Sequence, residues 1–415
     1  MRKFLFICFL FLYGCASTMQ SRLDNVQKNF TNQKFESSES TTTIKDKNNL
    51  DLLIDGMGLF HANKFKESDS TFEEFNKRNL KETNSSFSGE VSGLLFGQLV
   101  NSYKPYMMDS LFVSYYQIWD LLAMHDFENT RVVVNQSYNR QQNMSIQYKK
   151  LIEKNKEKIA EKSEYKKLLN ENSGDWLAFS DIMNPALMYL SGIYFMNIGE
   201  WNDAILYLTR ASGMMPNNEF IKQDLALAQK HQKPTNVIWE FSETDFAPRL
   251  KEKEISFFLP GVGLIYFAIS QPHFDKSKTT IQDAQLLSDV DAMFMTEYSQ
   301  YRINEILRAY TNVASKAVLQ TSAYHSSKNN SSSLILGLAS TIYSGTTTNA
   351  EIRTWATLPQ KIYVKRFSVN KSNLNELNVG DNIQIKSGTN YLIYKRIFNN
   401  NVADTKIINL NKGEK

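Results

Sequence analysis

Apolar residues recur at helical spacing from residue 50 onward, and in three places the pattern has the form of a helical hairpin. The first hairpin runs through Leu52, Gly56, Leu59, Phe65, Phe72 and Phe75. The second, weaker, covers residues 115–138 around Ile118, Leu121, Phe127 and Val134. The third runs through Met188, Gly192, Phe195, Gly199, Trp201, Ala204, Leu208 and Ala211 to Pro216. Residues 219–230 predict one more helix, able to cap the stack. Between the second and third hairpins, residues 148–172 mix Lys with Glu and hold few large apolar side chains, which predicts a solvated helix. Pro234 stops the helical pattern, and 236–241 and 254–259 then predict strands, with a turn at 260–263. Helix resumes over 283–320 on Val290, Phe294, Ile303, Ile306, Leu307 and Tyr310, and 325–333 predicts a Ser/Asn loop. Beyond Ala350, residues 362–369, 382–386 and 390–394 predict the strands of a small β-unit, separated by turn sequences at 379–382 and 387–390.

The third hairpin is similar to a tetratricopeptide repeat, which asks for a small residue, an aromatic three later, two spaced alanines and a closing proline. Gly192 lets two helices approach, Phe195 and Trp201 fill the space between them, Ala204 and Ala211 sit at the tightest seam, and Pro216 ends the second helix. Leu208 stands where the repeat usually has an aromatic. Stacked repeats of this kind form a concave groove from their inner helix faces, suited to a peptide or protein partner. Tyr189, Ile193 and Met196 are the candidate groove residues.

The start of the chain changes the picture. Arg2-Lys3 precede an uncharged apolar run from Phe4 to Leu12, too short to span a bilayer at roughly 20 residues and of the length of a signal-peptide core. The run ends in Leu12-Tyr13-Gly14-Cys15, which resembles the lipobox of bacterial lipoproteins; Tyr13 is bulkier than the usual residue there. Cys15 is then the lipidation site, with Ala16 and Ser17 behind it and no Asp to favour inner-membrane retention. The expected division is a signal peptide over 1–14, a flexible Ser/Thr/Asn-rich tether over 15–49, a tetratricopeptide-like helical domain over 50–235, a mixed strand and helix region over 236–345, a C-terminal β-unit over 346–400 and a tail over 401–415. The fold class is mainly α, with a mixed α/β region and a small β-unit following the array.

Composition narrows the function. The formal charge of +4 falls towards neutral once Arg2 and Lys3 leave, which argues against a nucleic-acid partner. The 2 cysteines are Cys8, lost with the signal, and Cys15, so no thiol remains for a disulfide, a thiolate metal site or a nucleophile. The 5 histidines show no metal-ligand spacing, and no Gly-x-Ser-x-Gly elbow occurs. No metal, cofactor or catalytic residue is expected.

Three further segments carry a family resemblance: 184–218, then Val237-Ile238-Trp239-Glu240 with Ala247-Pro248 and Phe258-Leu259-Pro260, and finally Arg353-Thr-Trp355-Ala-Thr-Leu358-Pro359. Together they resemble a group of bacterial outer-membrane lipoproteins, uncharacterised in activity, that carry tetratricopeptide-like repeats and an Arg-x-Trp-x-x-Leu-Pro element before a C-terminal β-unit. Glu351 stands where the group has Asp. The resemblance implies an envelope lipoprotein and supplies no catalytic residues. Arg353 and Trp355 are candidate partner-binding residues, but the preferred reading is that Trp355 anchors a core and Arg353 satisfies a buried carbonyl or carboxylate. The expected function is a non-enzymatic scaffold or protein-interaction lipoprotein on the periplasmic face of the outer membrane, held by its lipid and bound to an envelope protein. The alternatives are a regulator docking on a peptidoglycan-synthesising enzyme and, third, an enzyme acting on wall polymers. The last would show a deep polar cleft with close carboxylates.

Overall fold

A computed structural model describes residues 14–35, 43–86, 103–161, 183–259, 263–276, 279–326, 350–368 and 388–411. The predicted features at 260–262, 327–333 and 379–387 lie outside them. Helix α1 spans Gly14–Thr31. Three hairpins follow: α2 (Asn49–His61) with α3 (Phe65–Ser86), α4 (Met107–Ala123) with α5 (Phe127–Glu161), and α6 (Pro185–Ile198) with α7 (Trp201–Met214). Helix α8 (Glu219–Gln229) closes the series. Asparagine starts α2, α6 and α8: the side chains of Asn48, Asn184 and Asn218 accept from the free N–H groups of each first turn.

The three hairpins are equivalent position by position. Two residues before each second helix the backbone turns left-handed, at Asn63 (φ 61°), His125 (φ 55°) and Gly199 (φ 82°). Three residues into each second helix a small buried side chain recurs, as Ser68, Thr130 and Ala204. Four further on comes the large residue that fills the seam, Phe72, Val134 or Leu208. Facing it on the first helix are Gly56, Ile118 and Gly192. The two glycines are needed there. A Cβ on Gly56 would stand 2.6 Å from the Phe72 ring, and one on Gly192 would stand 2.6 Å from Leu208 Cγ.

The second half of the chain builds one five-stranded sheet and one hairpin. Strands β1 (Val237–Thr244), β4 (Gln285–Asp289), β5 (Lys361–Ser368), β6 (Tyr391–Phe398) and β7 (Asn401–Asn409) pair in the order β4-β5-β1-β6-β7. β1 lies in the middle, antiparallel to β5 and parallel to β6. Strands β2 (Arg249–Leu259) and β3 (Gly263–His273) form a separate antiparallel hairpin. Helix α9 (Val290–Ser326) packs Ile306, Leu307 and Tyr310 against Ile255, Phe257, Phe267 and Ile269 of that hairpin.

Several expectations are corrected. The 15–49 segment is not a free tether over its described part, because Leu23, Val26 and Phe30 lie on one face of α1 and are buried in the main core. The 236–345 and 346–400 regions are not separate units, since β1 and β4 share a sheet with β5 and β6. Residues 401–409 of the expected tail form the edge strand β7, and 285–289 are strand rather than the start of the long helix. The charged stretch after Tyr148 is not simply solvated. Tyr148 Oη donates to Thr296 O at 2.9 Å and Asn155 Nδ2 to Gln300 O at 3.1 Å, so one face of α5 rests on α9.

The array and the sheet share one core. Trp119 of α4 meets Phe241 of β1 at 5.4 Å and Tyr394 of β6 at 5.5 Å, Phe60 of α2 meets Tyr394 at 5.0 Å, and Tyr189 of α6 meets Phe241 at 6.0 Å. The first helices of all three hairpins therefore lay their inner faces on the chain's own sheet.

Alanine at Gly192 should lower the melting temperature: helix propensity favours Ala by up to about 1 kcal/mol, but overpacking Leu208 costs about 1–3 kcal/mol. Alanine at Gly213, where a Cβ meets nothing within 4 Å, should raise it. Thermal melts of the two variants beside the parent check this; equal shifts would mean that the α6–α7 seam is looser than described.

Candidate functional site: a tyrosine-lined cavity

The expected groove residues do not form a groove. Tyr189, Ile193 and Met196 are each fully buried. Tyr189 Oη donates to Asp224 Oδ2 at 2.6 Å, and the same carboxylate takes the Trp239 indole N–H at 2.6 Å and Arg366 Nε at 2.7 Å. These residues join array to sheet and face no solvent, which corrects their assignment to a partner site. Trp355 is a core anchor rather than a partner-binding residue, one of the two readings given above: it is buried, 6.0 Å from the Phe72 ring and 6.1 Å from Tyr116. Arg353 is different. It is half-buried, and its Nε donates to Glu351 Oε1 at 2.7 Å while its backbone N–H donates to the same oxygen at 3.0 Å. It borders an open cavity of about 130 Å³.

Four parts of the chain meet at this cavity. The turn before α4 brings Lys104, Pro105 and Tyr106; β3 brings Ser270; the segment after Ala350 brings Glu351 and Arg353; and α9 brings Tyr298, Tyr301, Glu305 and Arg308. With Phe294, the α9 residues are spaced four, three, four and three apart, which sets them along one helix face. Tyr106 stands edge-on to Tyr301 at 5.3 Å and tilted against Phe294 at 5.4 Å. The wall is thus aromatic and the rim polar.

Buried carboxyls organise the wall. Glu297 accepts from the backbone N–H groups of Met107 and Met108, the first two residues of α4, where the helix dipole favours negative charge. Asp109 accepts from Tyr103 Oη at 2.7 Å and the Tyr106 N–H at 2.9 Å, closing the same helix start. Glu305 accepts from Ser270 N at 2.8 Å and Ser270 Oγ at 2.6 Å, tying α9 to β3. Burial dominates all three: it raises Asp109 to about 7, Glu297 to about 8 and Glu305 to about 7, although the hydrogen bonds named here pull each one down. Such shifted groups cluster at functional sites.

Glu305 accepts one hydrogen bond on each oxygen from Ser270, and Glu351 accepts on both oxygens from Arg353. A second polar cleft of about 350 Å³ lies between α3 and α5, lined by Asp69, Gln117 and Arg140 among others. Of the cavity residues, sequence reading found only Arg353. The α9 spacing was a usable signal for Tyr298, Tyr301, Glu305 and Arg308. Nothing local marks Tyr106 or Ser270, which arrive from distant parts of the chain.

The three carboxyls give a signed pH dependence. Their folded pKa values lie above those of the unfolded chain, so their contribution to stability is full below about pH 4 and is lost as pH rises through about 7 to 8. His61 acts in another window: burial lowers it to about 4, so its penalty falls only below pH 6.5. The melting temperature should therefore fall between pH 6.5 and 8.5, and Glu297→Gln, which cannot ionise, should fall less steeply than the parent. Parallel slopes in a melt series would place Glu297 outside this balance.

Comparison with family models, with curated proteins and with solved structures gave no match to this chain.

Proposed function

We propose that the chain is a lipid-anchored, non-enzymatic interaction protein of the bacterial cell envelope, held by Cys15 on the periplasmic face of the outer membrane. Leu12-Tyr13-Gly14-Cys15 behind an uncharged apolar run supports the anchor. The helical series is read as a tetratricopeptide-like array. The equivalence of Gly56 with Gly192, of Ser68 and Thr130 with Ala204, and of Phe72 and Val134 with Leu208 supports that reading.

The observation that carries the functional reading is the cover on the array. Trp119 and Tyr189 of the first helices rest on Phe241 of β1 and Tyr394 of β6, so the groove that such arrays normally keep for a peptide is read as filled. Recognition is therefore read as belonging to the cavity beside Tyr106, Tyr301 and Arg353, where an aromatic wall and a charged rim suit a projecting side chain of an envelope protein.

Two experiments test this. Cys15→Ser should fail to incorporate labelled palmitate and should leave the membrane fraction; continued labelling would end the lipoprotein reading. A photo-crosslinking residue at position 104, on the cavity rim, should give discrete protein adducts in living cells. Arg353→Ala should weaken them, since a lost anchor costs about 2 kcal/mol, roughly thirtyfold in affinity. Adducts unchanged in that variant would move recognition away from the cavity.

A further inference from the structure

The anchor and the fold, taken together, fix how the body sits. A lipoprotein tether of thirty-odd flexible residues would give a span of roughly 30 Å. This chain has almost none. Met19, four residues after Cys15, is already partly buried against the main core, and Leu23 is fully buried. Four residues of helix rise about 6 Å, and even pulled straight they reach only about 14 Å.

Helix α1 is also clamped along its length. Val26 and Phe30 join Leu23 in the core, Gln27 Nε2 donates to Ala356 O at 2.8 Å, Arg22 pairs with Asp51 of α2, and Asp24 pairs with Arg249 of β2. Peeling α1 off to lengthen the link would expose three buried apolar side chains to water, which is strongly disfavoured. The outward side of α1 carries Ser21, Asp24, Asn25 and Lys28, all exposed. Its apolar face is spent on the core, so the helix has nothing to insert into acyl chains, as an interfacial amphipathic helix would.

We infer that the folded body rests directly on the bilayer, with the first exposed turn of α1 at the level of the lipid headgroups and no stand-off between membrane and protein. The inference rests on the proposed Cys15 anchor. The occupant of this surface is the same bilayer that holds the lipid. The contact is polar and peripheral, enforced by the shortness of the link rather than by affinity of the surface itself. Helix α8 packs on α7 and α6, whereas α1 pairs with α2 and β2, so in the inferred orientation α8 is taken as the remote end.

The test uses the lipidated full chain in phosphatidylcholine vesicles. With Cys8 removed and Cys15 alkylated, an introduced cysteine is the only free thiol, so Ser21→Cys and Lys222→Cys can each carry a single fluorophore. Replacing ordinary lipid with brominated lipid should cut the Ser21 signal about twofold or more, because six residues of helix keep the label within about 9 Å of the anchor. The Lys222 signal should not change. A Gly/Ser insert of about 20 residues after Ser17, adding a span of roughly 25 Å, should abolish the quenching at Ser21 while palmitate labelling persists. An unquenched Ser21 label on a palmitate-labelled protein would overturn the direct contact and leave the lipoprotein reading standing. Absence of palmitate on the parent chain would overturn both. Equal quenching at Ser21 and Lys222 would also overturn the stated orientation.

Discussion

An apolar inner face on a helical array has to be covered, and here the chain covers it with its own sheet. Almost every other feature follows from that contact. The aromatic side chains Phe60, Trp119 and Tyr189 project from the first helices and meet Phe241 and Tyr394. The seam is held in register by two buried charge clusters. Glu243 takes Tyr116 Oη at 2.8 Å, Tyr394 Oη at 2.7 Å and Arg396 Nη1 at 3.2 Å, while Arg396 Nη2 reaches the carbonyls of Asp245 and Thr357. Asp224 does the same for α6, α8, β1 and β5. Buried pairs like these add little net stability over apolar packing, but breaking one costs about 3–5 kcal/mol, so they penalise every misplaced register.

That contact also explains where the open surfaces are. With the first helices covered by the sheet, two cavities lie elsewhere: one where α9 and the Ala350 segment meet the start of α4, one between α3 and α5. At the first, burial pushes Asp109, Glu297 and Glu305 up to about 7 to 8, so these carboxyls exchange protons near neutral pH. A protonated carboxyl can hold the start of α4 or the edge of β3 without the desolvation cost of a charge.

The sequence made the hairpins legible because helical periodicity and paired positions such as Gly192 with Leu208 are local. It hid the sheet. β1 reads Val-Ile-Trp-Glu-Phe-Ser-Glu-Thr and is buried on both faces, so its Glu240 and Glu243 break the apolar run that a central strand normally shows. β7 is polar at five of nine positions and passes for a tail. α1 was masked by its Ser, Asn and Gln content, although Leu23, Val26 and Phe30 have helical spacing. The candidate groove residues failed for a related reason: an exposed inner face and a covered one have the same apolar pattern, and only the partner surface tells them apart. The cavity was legible on α9 and not elsewhere, because its other walls are brought together across long stretches of chain.

The central position of β1 has a consequence in time. Its two neighbours, β5 and β6, begin at Lys361 and Tyr391, more than a hundred residues later in synthesis. In a chain that emerges N-terminus first, whether from synthesis or from export, the three hairpins are out before the strands that cover them. Their apolar faces stay open until the last strands close the sheet, and that closing makes the finished protein. A holding chaperone is of most use in that interval.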